Sequence, residues 1–314
     1  MKLGIDMGGM SIKMGLVNEE NKIIGRITIP TDLTVPYQTL VERMADAVRQ
    51  MLENAGMTLE QCGGIGIGSP GTIDAKQGVI LYSNNFGWEN VPIVEELKKH
   101  LDTRIEIAND ADAAALGEVC AGAAEGAENA VLLTLGTGVG SGVILDKKIF
   151  RGAMPGGCEL GHLSIRYDGI RCTCGRKGCL EAYASASALL RIAREKAAEH
   201  PESIMNEMCG NDLEQMNGKI PFDAAKAGDE AGMETVKEYE GYLACGIANV
   251  INTFRPEKVI LGGGVAAQKD NLTAPLKDLV KDMCFGGSHG HIADIVTSAL
   301  GNDAGIIGAA NLVV

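Results

Sequence analysis

Hydrophobic residues fall in short runs bounded by glycine at the start of the chain and again near its middle, with longer helical spacings after each. Lys2 to Asp6 reads as a strand, followed by a glycine turn, and Ile12 to Val17 alternates into a second strand. Ile23 to Pro30 continues as a third. Tyr37 to Ala55 then places Leu40, Met44, Ala47, Val48, Met51 and Leu52 on one helical face and stops at Gly56. Ile65 to Gly68 predicts a short buried strand running into the turn Ser69-Pro70-Gly71-Thr72. Val91 to Leu101 predicts a helix and Arg104 to Ala108 a strand. An alanine-rich helix begins at Asn109-Asp110 and runs through Ala113, Leu116 and Val119.

Ala130 to Leu135 restarts the pattern as strand, glycine turn and strand, the last over Gly142 to Leu145. Two long helical stretches follow, Ala184 to Glu199 and Phe222 to Thr253, with Glu199 to Ile220 as the most loop-like segment between them. Val259 to Leu261 and Ile292 to Thr297 predict strands, and Ala304 to Asn311 a terminal helix. Strands alternating with helices predict an α/β protein. The repeated hairpin start predicts two related domains facing each other across a cleft.

Composition narrows the picture. The 314 residues are enough for about two domains. With 42 glycines and only 4% aromatics, the chain suits tight-looped α/β architecture better than an aromatic-cored sandwich. A formal net charge of −13 argues against nucleic acid as a partner, since that needs clustered Lys and Arg. No apolar run reaches the roughly 18 residues of a membrane span, and Asp6 interrupts the N-terminal apolar stretch that a secretory leader would need. Nine cysteines without a leader read as thiols or metal ligands in a reducing cytoplasm.

The strongest chemical signal is His162 followed by Cys172, Cys174 and Cys179. Three thiolates and one imidazole form the ligand set of a closed structural Zn²⁺ site. Gly175 and Gly178 supply the turns that let Cys174 and Cys179 converge. Core packing by small apolar thiols is the alternative, and C-x-C-G-x-x-G-C is poorly explained by it. Glu159 and Glu181 flank this segment, so a metal that fixes the loop also fixes two acids.

Three glycine turns follow strands: Gly8-Gly9-Met10-Ser11, Gly136-Thr137-Gly138-Val139-Gly140, and Gly262-Gly263-Gly264. Such turns let backbone N–H groups converge on phosphate. The G-x-x-x-x-G-K-[ST] phosphate loop is absent. The middle turn joins two strands, where a dinucleotide fingerprint would open a helix. Asp6, ending its strand at the first turn, is a candidate to hold Mg²⁺ through water or an Asx turn. Lys13 offers charge to a phosphate or is a solvated strand residue. Asp110 is either a helix N-cap or the general base that takes a hydroxyl proton during phosphoryl transfer. Asn109, Glu159, His162 and Glu181 add the dense donors and acceptors that a polyol needs.

The motifs G-I-D-M-G-G-M-S-I-K, N-D-A-D-A-A-A-L-G-E, T-L-G-T-G-V-G-S-G-V-I, E-L-G-H, C-T-C-G-R-K-G-C-L-E-A-Y-A-S and G-N-D-A-G-I-I-G-A-A together resemble the ROK family of sugar kinases, most of all its bacterial glucokinases. The resemblance runs nearly end to end. It implies a two-domain actin/hexokinase-like (ribonuclease H-like) ATPase fold with the active-site cleft between domains. Residues 1–112 with 301–314 would form a small domain and 113–300 a large one carrying the zinc loop. It implies ATP with Mg²⁺ as donor, structural Zn²⁺ on His162, Cys172, Cys174 and Cys179, and Asp110 as base. Gly71, Asn109, Asp110, Glu159, His162 and Glu181 would line the hexose pocket. Asp6, Gly8, Gly9, Met10, Ser11, Lys13, Gly136, Thr137, Gly138, Gly140 and Gly262 to Gly264 would serve the nucleotide. His162 would put one ring nitrogen on the metal and turn the other to the sugar.

The expected reaction is phosphorylation of the 6-hydroxyl of glucose. N-acetylglucosamine, N-acetylmannosamine, mannose, allose and fructose are the alternatives, which differ by single groups read by pocket shape. The family also contains sugar-binding repressors, which carry a winged-helix segment ahead of the kinase-like body; a first glycine turn at residue 6 is expected to leave no room for one. Homodimers or homotetramers are the family habit. Three positions depart from the family pattern. Met10 replaces a usual Thr, Asp112 replaces the second Asn of N-D-A-N, and Cys158 replaces a small residue. Asp112 would either raise the pKa of Asp110 or point away from it.

Overall fold

The structure, a computed structural model, describes residues 1–290 and 292–314. The chain divides into two compact units, one of Met1–Leu132, Gly142–Cys158 and Ala299–Val314, the other of Leu133–Ser141 and Glu159–Ser298.

The first unit opens with β1 (Lys2–Met7), β2 (Ser11–Val17) and β3 (Ile23–Pro30), an antiparallel meander in which Asp6 stands opposite Lys13. After α1 (Tyr37–Asn54), β4 (Ile65–Ser69) joins parallel to β1. A small antiparallel sheet follows, built from β5 (Thr72–Asp74), β6 (Val79–Ser83) and β7 (Trp88–Val91). It leads to α2 (Ile93–Lys98), then β8 (Ile105–Asn109) parallel to β4, and α3 (Asp110–Ala121). The main sheet therefore runs β3-β2-β1-β4-β8.

Strand alternation assigns its two faces. Leu3, Ile5, Ile65 and Ile67 turn to one side, where they share a core with Met44, Val48 and Met51 of α1. Gly4 and Gly66 turn to the other, where the returning C-terminal segment lies as α10 (Ala304–Ala310). A methyl at Gly66 would overlap the Ala309 carbonyl, and one at Gly308 would overlap the carbonyl of Ala113 in α3. The absent side chains let three backbones touch. The sequence boundary at residue 112 differs from the compact unit, which also takes in 113–132 and 142–158. The reason is that α3 packs on α10 and thereby stays with the first sheet. The wholly buried Glu118 of α3 fastens the same return, accepting from the N–H groups of Ala299 (3.1 Å), Leu300 (3.0 Å) and Ala123 (2.7 Å).

The middle of the chain adds β9 (Ala130–Leu135), β10 (Val139–Leu145) and β11 (Lys148–Ile149). Beyond the segment 162–179 come α4 (Glu181–Ala184), α5 (Ala186–Glu199), α6 (Ile204–Met208), α7 (Ile220–Lys226) and α8 (Glu230–Phe254). The chain then forms β12 (Lys258–Gly262), α9 (Asp270–Met283) and β13 (Asp294–Thr297). The second five-stranded sheet runs β11-β10-β9-β12-β13, the same sequence order as the first. Among the described residues no helix is long and apolar enough to cross a membrane.

Several elements differ from the sequence expectation. The helix expected over Val91–Leu101 begins only at Ile93, because Pro92 holds its predecessor Val91 in an extended conformation at the end of β7. The stretch expected as one helix over Phe222–Thr253 breaks at Gly228, with φ of +85°, and Asp229 recaps it. The Asp229 carboxylate accepts from Gly232 N–H (2.8 Å) in α8 and from Ile204 N–H (3.0 Å) in α6, so one acid ends the break and orders the supposed loop. The β5-β6-β7 sheet and α9, with Pro275 inside it, carry too short or too interrupted a pattern to be read.

In α8 the buried Glu240 has a carboxyl pushed up to about 7 by burial, and its Oε1 finds no hydrogen-bond partner among the described residues. Its folded pKa lies above the ordinary 4.5, so the stability supplied by the neutral acid is full below pH 4.5 and is lost as pH rises through 7. Glu240→Gln should therefore raise unfolding stability by about 1–3 kcal/mol at pH 8 and by nearly nothing at pH 4.5. Denaturant titrations at the two pH values check this. An equal effect at both would mean that the Glu240 carboxyl has the same pKa folded and unfolded.

Candidate active site and metal centre

In the first unit the acids gather where β1 and β8 end. Asn109 ends β8 and caps α3: its Oδ1 accepts from Ala111 N–H (2.9 Å), and its Nδ2 donates to the Gly71 carbonyl (3.1 Å). The N-cap role considered for Asp110 thus belongs to Asn109, and Asp110 is the first helical residue. Asp110 Oδ1 also lies 2.9 Å from Ala111 N. Burial pushes the Asp110 carboxyl above the ordinary carboxylate range, while the Ala111 N–H and the Asn109 side chain pull it back. Asp6 is raised too, first by burial; Lys13 lowers it and the nearby Asp110 raises it further. The two carboxyls are therefore electrostatic neighbours. Gly305 of α10 leaves room for the Asp6 side chain.

The turn Gly8 to Ser11 closes with Gly8 N–H donating to the Ser11 carbonyl (3.0 Å). Thr31 pins it from β3's end, its hydroxyl donating to the Gly8 carbonyl (2.6 Å). Met10 at its tip is 90% exposed, so its side chain takes no part in holding the turn. Beside Asn109 lies a cavity of about 320 Å³ whose polar lining includes Asp74, Lys76, Asn109, Asp112 and Arg151. Asp112 is buried on this wall against Gly157. It faces the cavity, and burial is what raises Asp110.

In the second unit, Glu159 precedes a single 3₁₀ turn, Leu160–His162, anchored by Leu160 N–H donating to Ser141 Oγ (2.9 Å). His162, Cys172, Cys174 and Cys179 come together, with one ligand atom from each within 4.8 Å of the others. Cys174 Sγ and Cys179 Sγ are 3.6 Å apart, and Cys172 Sγ lies 3.7 Å from His162 Nδ1. Zinc bonds of about 2.3 Å at tetrahedral angles place ligands about 3.7 Å from one another. The donor set and its spacing fit zinc, with His162 Nδ1 as the imidazole ligand. Glu181 begins α4 directly after Cys179-Leu180. Gly136 to Gly138 joins β9 to β10, which opens with Val139 and Gly140, and Gly263, with φ of +81°, passes so close to the Leu135 backbone that no side chain fits.

The predicted site residues thus form two groups. Asp6, Gly8, Gly9, Met10, Ser11, Lys13, Gly71, Asn109 and Asp110 belong to the first unit. Gly136 to Gly140, Glu159, His162, the three cysteines, Glu181 and Gly262 to Gly264 belong to the second. Thr31, Lys76, Arg151 and Thr173 were not singled out in the sequence. Their signal is weak because threonine and exposed cations are common in loops. Glu118 did carry one, an acid on the buried side of an alanine-rich helix.

The profile of the ROK family matches residues 2–314. The glucokinase of Thermotoga maritima is 36% identical over 312 residues, covering 99% of this chain and 96% of its own. The crystal structure of a ROK-family glucokinase from Streptomyces griseus, in complex with glucose and AMPPNP, superposes with a TM-score of 0.79 at 31% identity over 99% of this chain and 98% of that one. A xylose repressor of Caldicellulosiruptor bescii is 29% identical over 90% of this chain and 70% of its own length. These likenesses support a sugar kinase of actin/hexokinase-like fold and show a regulator branch beside it. With the family profile spanning almost every residue, and the acids, glycine turns and four-ligand cluster built as described, the chain belongs to the ROK family.

Proposed function

We propose that this protein is an ATP-dependent hexose kinase that phosphorylates the 6-hydroxyl of glucose. The observation that carries the reading is Asp110, a carboxyl raised by burial at the head of α3, beside Asp6 and next to a polar-lined cavity. Phosphoryl transfer asks for positioning, charge neutralisation and one base near the attacking hydroxyl. Asp110 takes the hydroxyl proton as the oxygen attacks the γ-phosphorus, the bond to the β-γ bridging oxygen breaks, and ADP leaves. Asn109 orients the head of α3 and the Gly71 turn, and with Glu159, His162 and Glu181 it binds the sugar hydroxyls. The glycine turns at Gly8-Gly9, Gly136 to Gly140 and Gly262 to Gly264 hold the nucleotide, helped by Ser11 and Lys13. Asp6 would hold Mg²⁺ through water, and that ion supplies charge neutralisation at the phosphates. His162, Cys172, Cys174 and Cys179 would hold zinc, which supplies loop rigidity. We place the enzyme in the cytoplasm as a homo-oligomer.

A screen of ADP release over glucose, mannose, fructose, allose, N-acetylglucosamine and N-acetylmannosamine with Mg-ATP tests the proposal. Glucose should give the highest kcat/KM. A higher value for an N-acetylated hexosamine would move the substrate assignment. The likeness to a xylose repressor favours a second reading, a sugar-binding regulator, and sugar binding with no sugar-dependent ADP release would support it.

A further inference from the structure

The segment that carries the metal ligands is also the wall of the second glycine turn. Several polar groups of the turn and of the start of β10 are held by that segment and by the first residues of α5. The Gly136 carbonyl accepts from Ala186 N–H (2.8 Å), and the Thr137 carbonyl accepts from Ser187 Oγ (2.9 Å). The Val139 N–H donates to Glu181 Oε2 (3.0 Å), and Ser141 Oγ accepts from Leu160 N–H (2.9 Å). A methyl on Gly138 would overlap the Glu181 carboxylate, and one on Gly161 would overlap the Val139 carbonyl. The turn is therefore shaped by its neighbours as well as by its own glycines.

Glu181 is the joint. Its Oε2 holds the turn, while its Oε1 accepts from the Thr173 hydroxyl (3.0 Å) and lies 3.4 Å from Cys172 Sγ. Thr173 stands between the ligands Cys172 and Cys174. Cysteines bind metal as thiolates, so in the loaded protein the Cys172 sulfur has no proton to give. The Thr173 hydroxyl is then the donor that ties the metal loop to Glu181 and, through it, to Val139. Resting on the kinase reading above, we infer that Thr173 and Glu181 form a relay that sets the phosphate-binding turn from the metal loop. Thr173 is a positioning residue for the nucleotide, and the metal loop serves ATP affinity as well as the hexose. The exposed Thr173 side chain acts in this relay only through Glu181.

The test is calorimetric titration of Mg-AMPPNP, and separately of glucose, into the zinc-loaded wild type, Thr173→Val and Thr173→Ser. Removing one hydrogen bond from the relay should weaken AMPPNP by about three- to tenfold in T173V. Glucose affinity, which Glu181 also serves in the proposed site, should fall by no more than AMPPNP affinity does, and T173S, which keeps the hydroxyl, should restore both. Metal content of T173V, measured by atomic absorption, should match wild type. Unchanged AMPPNP affinity in T173V, a loss that T173S does not rescue, or a loss of bound metal would each overturn the relay. Wild-type protein that binds no AMPPNP at all would instead sink the kinase reading on which the relay rests.

Discussion

Asp110→Asn should lower kcat by about a hundredfold or more while hexose affinity stays within a few-fold of wild type. The amide keeps the shape at the head of α3 and still accepts the Ala111 N–H, but it cannot take a proton. Asn109 retains its cap and its bond to Gly71, so the local fold is unchanged. Burial raises the Asp110 carboxyl, and the base must be ionised to act. The acid limb of the wild-type kcat/KM profile should therefore fall above the usual aspartate value of about 4 and vanish in the variant. Full turnover by D110N would remove this residue from the mechanism.

Removing the metal should cost more than activity. His162, Cys172, Cys174 and Cys179 would close a loop that is otherwise held by backbone bridges such as Ser164 to Cys179 and Arg171 to Lys177, by Ile170 N–H donating to the Tyr183 hydroxyl (2.6 Å) and by Thr173 on Glu181. Without the ion, two of the three thiols stay buried with no charge to hold and His162 loses its orienting ligand. Chelation should lower Tm by about 5–10 °C, since structural zinc contributes folding energy directly. Hexose binding should weaken by about tenfold or more, because Glu159, His162 and Glu181 lose a common support. Cys179→Ser should reproduce both effects. Calorimetric scans and sugar titrations before and after chelation read them together. Purified protein that carries no zinc, or that keeps its Tm after chelation, would contradict the metal assignment.

The parts of the fold legible in the sequence are those where one pattern dominates. β3 and β9 match their expected bounds, and α1 ends within one residue of its own, because alternation or helical spacing is uninterrupted there. The convergence of His162, Cys172, Cys174 and Cys179 was legible because their spacing admits few other uses. What escaped depends on local breaks hidden in a helical spacing or on partners distant in sequence. Pro92 converts an expected helix turn into strand, and Asp229 splits an apparently continuous helix by capping two at once. The return of residues 299–314 to α3 is written in Gly308 and Glu118, yet neither residue signals its partner until the chain is folded. Glu181 shows the same limit at the site. Its proximity to the ligands was plain, whereas its hold on Val139, across the β9–β10 turn, was not.

In the proposed reaction one hexose meets Asp110 and the Glu159, His162 and Glu181 group at once, and a crystal structure with glucose and AMPPNP measures that directly. The predicted result has an Asp110 carboxylate oxygen within about 3 Å of the sugar's 6-hydroxyl, with Glu159, His162 and Glu181 on the other hydroxyls of the same ring. A sugar bound with its 6-hydroxyl away from Asp110, or held by only one of the two groups, would contradict it.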